Sequence, residues 1–428
     1  MSGDRTVAVL GLGYVGLPLA IAFAGVGRSV IGYDTDTARA QELSHGVDRN
    51  DPDGRRLALP KGLRFSCDPA DLGSADVFVV AVPTPIDPAR RPDLGPLAEA
   101  ARTIGSAIRP GGLVIVESTV HPGATEEVVG PIVAESSGLA MGSGFKLGYS
   151  PERINPGDTT HDLGNVVKVV SAEDEETLGR VVALYSDIVP AGLHAAPSIR
   201  VAEASKITEN IQRDVNIALM NELAQVYDRL GIRTEDVLAA ARTKWNFAPY
   251  TPGLVGGHCI GVDPYYLIAK AEAHGYYPEL IRSARRLNDT MAERVVQKTV
   301  MLLGSGGTAI AGARVGVMGV SFKENVSDAR NSQVPTIVHG LVELGADVAV
   351  VDPIVAPAVA ERILGMSLVD SSVLVDLDAL ILASPHRVFL NEGAEGLGRR
   401  LREGGLLVDV KSALDPTHLE ANRIYWSL

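Results

Sequence analysis

The sequence predicts an α/β protein in which two parallel-sheet domains, one near each end of the chain, are joined by a long central helix. Short apolar runs alternate with helical patterns from residue 6 to about residue 120, and the same alternation returns at residue 314. Between these regions, residues 201–230 contain neither Gly nor Pro. Continuous apolar strands separated by helices are typical of a parallel sheet that is covered on both faces.

The predicted strands are short apolar runs without the alternation of a half-exposed sheet. In the N-terminal half they occupy residues 7–10, 29–33, 77–82 and 113–117, and a helical run over residues 17–25 separates the first two. In the C-terminal half they occupy residues 314–319, 347–351, 379–383 and 406–410. Each half therefore supplies enough strands for a sheet of its own.

The central helix is predicted from apolar residues that recur at helical spacing, and Gly231 is expected to end it. The recurring residues are Ile207, Ile211, Val215, Leu219, Leu223 and Val226. The middle of the helix is polar, with Lys206, Asn210, Gln212, Asn216 and Asn221 in a short span. Such groups are costly in a protein interior unless they are paired or used. We expect about half of them to face solvent, and the helix to join the two domains and to offer a face to a second subunit.

The charge balance excludes nucleic-acid binding as the main activity. The chain of 428 residues carries 39 Lys and Arg against 52 Asp and Glu, a formal net charge of −13, whereas nucleic-acid affinity rests on clustered basic residues. The hydrophobic content of 46% also excludes a disordered chain. Anionic small molecules can still bind in local pockets, and two or three domains are expected at this length.

The two thiols, Cys67 and Cys259, are too few for a disulfide framework. A reducing cytoplasm is therefore the expected location. We expect no signal peptide, because the first residues lead directly into a strand. We also expect no membrane span, because no apolar run reaches the roughly 18 residues that a span needs.

A glycine-rich turn, Gly11-Leu12-Gly13-Tyr14-Val15-Gly16, follows the first strand and opens a helix. In a dinucleotide-binding turn the first glycine makes the tight turn, the second admits a pyrophosphate and the third lets the helix pack on the strand. Asp34 lies about 20 residues further on, where an acid binds a ribose hydroxyl and disfavours a 2′-phosphate. The pattern predicts a Rossmann-like NAD site with Arg39 beside the adenosine; a purely structural turn is the alternative.

Two further strand ends are predicted to border the same site. Pro83 and Thr84 follow the third predicted strand, and Thr119 follows the fourth. Ligands of open α/β sheets bind outside the carboxyl ends of the strands, so these residues are candidate cofactor contacts. Ordinary loop punctuation by Pro and Thr is the alternative.

One loop, over residues 253–266 and here named the cysteine loop, contains four glycines, a thiol, an imidazole and a carboxylate. Glycines allow close backbone approach, and Asp263 can handle protons for chemistry at the Cys259 sulfur. Because Cys259 lies outside any apolar strand or helix, we expect a nucleophile rather than a structural residue. His258 and Cys259 lack companion ligands at metal spacing, so no metal site is expected. Cys67 is expected to be an inert, small hydrophobic residue.

Together these motifs resemble the UDP-glucose/GDP-mannose dehydrogenase family, and in particular its branch of UDP-N-acetylglucosamine and UDP-N-acetylgalactosamine 6-dehydrogenases. The matching segments are residues 11–20, 149–158 and 206–221, the cysteine loop, and residues 322–332. Their order and spacing agree over nearly the whole chain, which is far more specific than one glycine motif. The resemblance implies an NAD-binding Rossmann domain over residues 1–200, a helical connector and dimerisation region over 201–300, and a Rossmann-like UDP-sugar-binding domain over 301–428.

The resemblance also implies an activity, in which the primary alcohol of a UDP-sugar is oxidised to a carboxylate by two hydride transfers to NAD. Cys259 would trap the aldehyde as a thiohemiacetal and then carry a thioester. Asp263 and Glu152 would activate or order the water that hydrolyses it. Lys206 and Asn210 lie one helical turn apart, and this pair would stabilise the developing alkoxide.

Further contacts follow from the same resemblance. Thr119 would lie near the nicotinamide and the substrate oxygen. Lys323 and Arg330 would supply cations for a diphosphate or uronate group, and Arg330 would also approach the nicotinamide. The remaining implied substrate contacts are Glu152, Arg153, Lys206, Asn210, Gly256 and Gly257.

Several alternatives stay open from the sequence. The substrate can instead be UDP-glucose or UDP-N-acetylmannosamine. A non-catalytic regulator on the same fold could bind NAD or a nucleotide-sugar, although Cys259, Lys206 and Asp263 are all present. A dehydrogenase that stops after one hydride has no use for Cys259. We expect an enzyme of polysaccharide or other glycoconjugate biosynthesis that forms a homodimer or larger homo-oligomer and binds neither nucleic acid nor membrane.

Overall fold

The structure is a computed structural model, which describes residues 6–51, 54–153, 163–257 and 259–428. It divides into two compact units. The first unit contains Met1–Glu209 and Tyr265–Tyr277, and the second contains Asn210–Pro264 and Pro278–Leu428. The expected division into three parts, over residues 1–200, 201–300 and 301–428, is based on the function of each part and not on compact units. It stays a prediction.

The first unit is built on a mostly parallel sheet. Its strands are β1 (Thr6–Leu10), β2 (Ser29–Tyr33), β3 (Leu63–Ser66), β4 (Val77–Val80), β5 (Gly112–Val116), β6 (Phe145–Tyr149), β7 (Lys168–Ala172) and β8 (Leu193–Ala195). Within the described ranges their order is β3-β2-β1-β4-β5-β6-β7-β8, and β6 pairs with β7 in the antiparallel sense. The strand order reverses between β1 and β4, which is where an open α/β sheet forms its ligand crevice.

Helices cover both faces of this sheet, as its continuous apolar strands predict. They are α1 (Gly16–Gly25), α2 (Thr37–Ser44), α3 (Gly95–Ala107), α4 (Gly130–Ser137) and α5 (Glu175–Ser186). On one face, Leu19 and Phe23 of α1 pack with Val9 of β1. On the other face, Leu97 of α3 packs with Phe78 of β4. Fully burying a side chain of this kind contributes about 1.5–3 kcal/mol, so the two apolar layers hold the sheet and position its carboxyl edge.

The long central helix, α6, extends over Ile199–Leu230. It ends at Gly231, whose φ of +68° is a left-handed conformation that favours a residue without Cβ. Its polar residues divide between the two environments. Lys206, Asn210 and Asn221 are buried, Asn216 is half-buried and Gln212 is exposed.

The predicted apolar face of α6 needs correction. Ile207 is buried as expected, but Leu219 and Val226 are exposed. The reason is that the buried side of the C-terminal half of α6 is partly polar, with Asp214 and Asn221 both at 0% exposure. Apolar spacing alone could not show which face of the helix meets the protein interior.

The second unit also contains a parallel sheet. Its strands are β9 (Arg314–Met318), β10 (Asp347–Val351), β11 (Leu377–Leu382), β12 (Leu401–Asp409) and β13 (Ile424–Ser427), in the order β10-β9-β11-β12-β13 among the residues described. The remaining helices are α7 (Thr234–Ala241), α8 (Asp263–Ala273), α9 (Glu279–Asp289), α10 (Met291–Ser305), α11 (Val334–Glu343), α12 (Pro357–Leu364), α13 (Arg387–Leu390) and α14 (Gly393–Gly398). Met291 and Val295 of α10 pack with Ile337 of α11 and Val315 of β9. The predicted fold class, two doubly wound α/β sheets and a long helix, is confirmed.

Several strand bounds differ from the prediction, those of β4 and β12 among them. β4 ends at Val80 rather than at residue 82. The Ala81 amide still donates to the Leu10 carbonyl of β1, and the chain turns away after that bond. β12 begins at Leu401 rather than residue 406, and its register against β11 shifts between Leu377 and Ala379. Such a bulge leaves little trace in the apolar pattern. None of the helices in the described ranges combines the length and hydropathy that crossing a membrane requires.

Candidate functional site

The glycine-rich turn of the first unit has a separate reason for each glycine. Gly11 has φ +91°, and a Cβ there would lie 2.6 Å from the Ala81 carbonyl oxygen. At Gly16 a Cβ would lie 1.9 Å from the Gly11 carbonyl oxygen, so the turn and helix could not pack. A Cβ at Gly13 would meet no atom within 4 Å. Packing therefore explains the first and third glycines but leaves open space beside the second.

That open space lies at the start of α1, where a pyrophosphate fits. Val15 precedes α1 and makes no side-chain capping bond, and the Leu17 amide donates to the Gly13 carbonyl at 3.3 Å. The positive end of the α1 dipole still favours an anion at this place. Tyr14, beside Gly13, is 41% exposed. The residues present at this turn therefore suit the phosphates of a dinucleotide.

Asp34, directly after β2, faces the same turn. Its Oδ2 accepts a hydrogen bond from the Leu12 amide at 2.8 Å, and its Oδ1 accepts one from the Asp36 amide at 3.0 Å. Arg39 is buried, and its Nε and Nη2 donate to the Leu12 carbonyl at 3.1 and 3.0 Å. Its Nη1 pairs with Asp48 at 2.7 Å. Arg39 thus supports the turn from behind, and its contact with the adenosine stays a prediction.

The ends of β4 and β5 are tied together. The Thr84 hydroxyl donates to the Thr119 carbonyl at 2.8 Å, and the Ser118 hydroxyl donates to the Val82 carbonyl at 2.7 Å. Pro83 is exposed, whereas Thr84 and Thr119 are half-buried. These bonds fix the two segments that the sequence predicts beside the cofactor.

Glu152 lies just after β6 and is surrounded by groups that sequence reasoning missed. Its Oε2 lies 3.4 Å from the ammonium of Lys168, which also pairs with Glu117 at 2.8 Å. The Tyr185 hydroxyl donates to Glu117. Burial raises the pKa of Glu117 to about 7. A lysine at the head of the apolar run of β7 was the available sequence signal.

Arg153, the neighbour of Glu152, makes contacts within the first unit. Its Nη1 donates to the Val167 carbonyl at 2.8 Å, and its Nη2 pairs with Glu209 of α6 at 2.8 Å. Residues 154–158, the rest of the matching segment, lie outside the described residues. Binding of substrate by Arg153 stays a prediction.

In the second unit, Asn210 and Asp263 form a buried pair. The Asn210 amide nitrogen donates to Asp263 Oδ2 at 2.5 Å. Asp263 is the first residue of α8, so the cysteine loop predicted over residues 253–266 becomes helical from Asp263 onward. The Asp263 amide donates to the Cys259 carbonyl at 2.9 Å. Cys259 is exposed, and His258 lies outside the described residues. The sequence paired Asn210 with Lys206, also buried and one turn away along α6, and missed its bond to Asp263.

A buried polar network of α6 and α9 holds the cysteine loop. Asn221 donates to the Gly253 carbonyl at 3.0 Å and accepts from the Gly253 amide at 2.8 Å. It also donates to Asn288, which in turn donates to the Asp214 carboxylate. Arg285 pairs with that carboxylate at 2.5 Å and donates to the carbonyl of Ile260 in the loop at 3.4 Å. Asn221, one of the polar residues that the sequence flagged on α6, is therefore paired, and its partner on α9 could not be read from spacing.

The two glycines at positions 256 and 257 pack against the loop over residues 322–332. A Cβ at Gly256 would lie 2.8 Å from the Asn331 carbonyl oxygen, and one at Gly257 would lie 2.8 Å from the Phe322 ring. The Gly257 amide donates to the Arg330 carbonyl at 3.2 Å. These contacts account for both glycines, and their approach to a sugar stays a prediction.

The two cations that the sequence predicts in the loop over residues 322–332 differ in exposure. The Arg330 guanidinium pairs with Asp328 at 2.6 Å and is about half exposed, whereas Lys323 is half-buried. Cys67, expected to be inert, directly follows β3 and is exposed. Within the part of the chain that the structure describes, no three His, Cys, Asp or Glu side chains cluster as metal ligands.

Family models match three consecutive parts of the chain. Residues 5–189 match the NAD binding domain of the UDP-glucose/GDP-mannose dehydrogenase family, residues 200–290 match its central domain, and residues 316–416 match its UDP binding domain. The order is the one that the sequence motifs suggest. Together the matches extend over most of the chain.

Individual relatives match over nearly their whole length. A UDP-N-acetyl-D-glucosamine 6-dehydrogenase of Pseudomonas aeruginosa is 48% identical, over 96% of this chain and 98% of the relative. An enzyme of the same name from Salmonella typhi is 42% identical, over 95% and 96%. Among solved structures, a UDP-D-ManNAc dehydrogenase from Pyrococcus horikoshii has a TM-score of 0.89 and 31% identity, over 99% of this chain and 98% of that one.

Proposed function

The chain belongs to the UDP-glucose/GDP-mannose dehydrogenase family, and from that premise we propose that it oxidises a UDP-N-acetylhexosamine to the uronic acid with NAD. UDP-N-acetylglucosamine and UDP-N-acetylgalactosamine are the proposed substrates. The observation that carries the proposal is the buried Asn210–Asp263 pair, in which the Asp263 amide donates to the carbonyl of the exposed Cys259. A thiol and a carboxylate so arranged serve thioester chemistry, which a single alcohol oxidation does not need.

NAD, when bound, accepts one hydride in each of the two oxidations. The glycine-rich turn and Asp34 would hold its pyrophosphate and ribose, with Pro83, Thr84 and Thr119 along its nicotinamide half. In the first oxidation, the Lys206 ammonium donates a hydrogen bond to the developing alkoxide, and Asn210 supports it. Preorganised donors of this kind stabilise charge that grows in the transition state.

The Cys259 thiolate then adds to the aldehyde carbon, forming a C–S bond and a thiohemiacetal. Loss of the second hydride from that carbon gives a thioester. Water adds to the acyl carbon, the C–S bond breaks, and the thiolate and the uronate separate. Asp263 and Glu152 order that water and accept its proton, which is the general-base role of a carboxylate.

The nucleotide part of the substrate needs cations. Lys323 and Arg330 are proposed for the diphosphate, supported by their place in the segment that matches the UDP binding domain. Because Arg330 is already paired with Asp328, it would bind an anion as part of that pair. Arg153, Gly256 and Gly257 are proposed to contact the sugar.

A second candidate substrate is UDP-N-acetylmannosamine. The solved structure with a TM-score of 0.89 is a UDP-D-ManNAc dehydrogenase, but the sequence relatives at 42% and 48% identity carry the glucosamine name. UDP-glucose is the remaining alternative in the family. We favour the glucosamine branch because the identity is higher over a nearly complete chain.

We further propose a homodimer. Leu219, Val226 and Leu230 of α6 are 48%, 43% and 64% exposed and recur on one face of the helix. Apolar stripes of this kind on a long helix are typical of a helix-to-helix interface.

One experiment tests the proposed function. Purified protein is incubated with NAD and each of the UDP-sugars in turn, and NADH and uronic acid are measured. Two NADH per UDP-N-acetylglucosamine or UDP-N-acetylgalactosamine support the proposal, whereas turnover of UDP-glucose alone contradicts it. Cys259→Ala is expected to form no uronic acid while still binding NAD, and Cys67→Ala, the matched thiol control, to react like the wild type. Full acid production by Cys259→Ala would refute the thioester mechanism.

A further inference from the structure

Three buried polar side chains of the first unit, which contact one another, have no role in the proposed mechanism. Glu117 follows β5, Lys168 begins β7 and Tyr185 belongs to α5. The Glu117 and Lys168 side chains are 0% and 4% exposed, and Tyr185 is fully buried. A carboxylate, an ammonium and a phenol are therefore enclosed at the carboxyl edge of the sheet. The carboxylate belongs to Glu117, two residues before Thr119.

Lys168 connects this group to Glu152. Its ammonium donates to Glu117 Oε2 at 2.8 Å, to the Pro151 carbonyl at 3.3 Å and to Glu152 Oε2 at 3.4 Å. Tyr185 donates to the other Glu117 oxygen, and its ring centre lies 5.4 Å from the ammonium. One ammonium thus holds both the backbone immediately before Glu152 and the Glu152 carboxylate itself.

Stability alone does not explain such a group. A buried ion pair recovers its desolvation cost only with good geometry, and a well-packed apolar replacement is often at least as stable. Burial would lower the pKa of Lys168, but Glu117 and Glu152 outweigh it and raise that pKa above its usual value. The ammonium therefore stays charged, 3.4 Å from the Glu152 carboxylate.

Glu152 is the least enclosed carboxylate of this group, with 11% of its side chain exposed. Its Oε1 accepts a hydrogen bond from the Arg153 amide at 2.6 Å. One oxygen is thus fixed by the backbone and the other by Lys168. Glu117, fully buried, cannot reach a substrate and acts on Glu152 through Lys168.

Building on the proposed function, we infer that Lys168 is a positioning residue, which holds the Glu152 carboxylate in place for the water that hydrolyses the Cys259 thioester. Glu117 and Tyr185 hold Lys168. In that step the water oxygen bonds to the acyl carbon, its proton passes to Glu152, and the C–S bond electrons return to the Cys259 sulfur. No electrons leave the substrate in this step. A variant that loses only this step therefore still carries out the two oxidations but does not release the acid.

Lys168→Met tests the inference, because it removes the charge and keeps most of the buried volume. Rapid mixing with NAD and UDP-N-acetylglucosamine is expected to show a retained first burst of NADH. The steady rate after the burst should fall about tenfold or more, with KM for the UDP-sugar little changed. Intact-protein mass spectrometry should then detect the acyl group on Cys259. Hydroxylamine attacks a thioester without an ordered water, so it should restore NADH production and yield a hydroxamate.

Two variants separate positioning from a structural role. Lys168→Arg keeps the cation and should recover much of the steady rate, and Tyr185→Phe should lower it by a smaller factor than Lys168→Met. A merely structural role would lower the thermal unfolding temperature and the burst together. A Lys168→Met enzyme with the wild-type steady rate, or one that loses its burst at an unchanged unfolding temperature, overturns the inference.

The remaining outcomes are also decisive. If Lys168→Met does not fold, a wild-type steady rate in both Lys168→Arg and Tyr185→Phe overturns the inference, and a lowered rate with a retained burst supports it. A wild-type protein that forms no NADH from any UDP-sugar refutes the proposed function itself. Failure of the positioning role alone gives a different result, because the wild type and Lys168→Met then both turn over the UDP-sugar at the normal rate.

Discussion

At the scale of residues, the glycine-rich turn shows how packing and ligand binding can require the same amino acid. Gly16 is required by the fold, because a Cβ would lie 1.9 Å from the Gly11 carbonyl oxygen. Gly13 has no such neighbour within 4 Å. The structure therefore separates a glycine needed for packing from one whose open side is left for a ligand.

This difference predicts opposite behaviour for two alanine variants. Gly13→Ala should unfold at the wild-type temperature but bind NAD at least about tenfold more weakly, because its methyl group enters the phosphate space. Gly16→Ala should lower the thermal unfolding temperature, since its methyl group clashes with backbone. Calorimetric NAD titration and thermal scans on both proteins check this. Unchanged NAD affinity in Gly13→Ala would contradict the role of the turn.

At the scale of elements, the polar side of α6 is the feature that organises the second unit. Asn221 closes two hydrogen bonds to the Gly253 backbone and one to Asn288 of α9. These groups are buried, so loss of one partner leaves the others unsatisfied. The helix thereby fixes the start of the loop that carries Cys259.

Asn221→Ala is expected to destabilise the second unit by about 2 kcal/mol and to lower kcat, because the cysteine loop loses its anchor. NAD binding, placed in the first unit, should be unchanged. Thermal scans, turnover and NAD titration measure the three quantities. The control is Asn216→Ala on the same helix, whose side chain bonds only locally to the Gln212 carbonyl among the contacts described and should cost less than about 0.5 kcal/mol. Equal effects of the two variants would contradict the anchoring role.

At the scale of the whole molecule, the chain repeats one architecture in both of its units. Each sheet reverses its strand order, between β1 and β4 in the first and between β9 and β11 in the second. Each reversal opens a crevice at the carboxyl ends of its strands. Two crevices suit a reaction with two nucleotide ligands, and the exposed apolar stripe of α6 is the surface that we propose for a second copy of the chain.

Charge on that stripe is expected to disrupt the proposed dimer. Leu219→Glu combined with Leu230→Glu should shift the protein from dimer to monomer in sedimentation velocity, because two carboxylates would be buried at the interface. Val342→Glu, at a residue of α11 that is 43% exposed, should leave the dimer intact. A monomeric wild type, or a double variant that stays dimeric, would contradict the proposed interface.

The sequence by itself determined the fold class, the glycine-rich turn, the long helix and the loop with Cys259. Each of these rests on local information: apolar period, glycine spacing, and residue types within a few positions of one another. That is why the predicted elements agree with the structure to within a few residues at most of their ends.

Only the tertiary structure decided which distant side chains meet. Asn210 bonds to Asp263 across 53 residues, and Lys168 bonds to Glu117 across 51. It also decided that Leu219 is exposed while Asn221 is buried, against the apolar spacing of α6. The physical reason is that burial and pairing depend on what packs against a residue, and a buried polar group is tolerated only where a partner from another element reaches it.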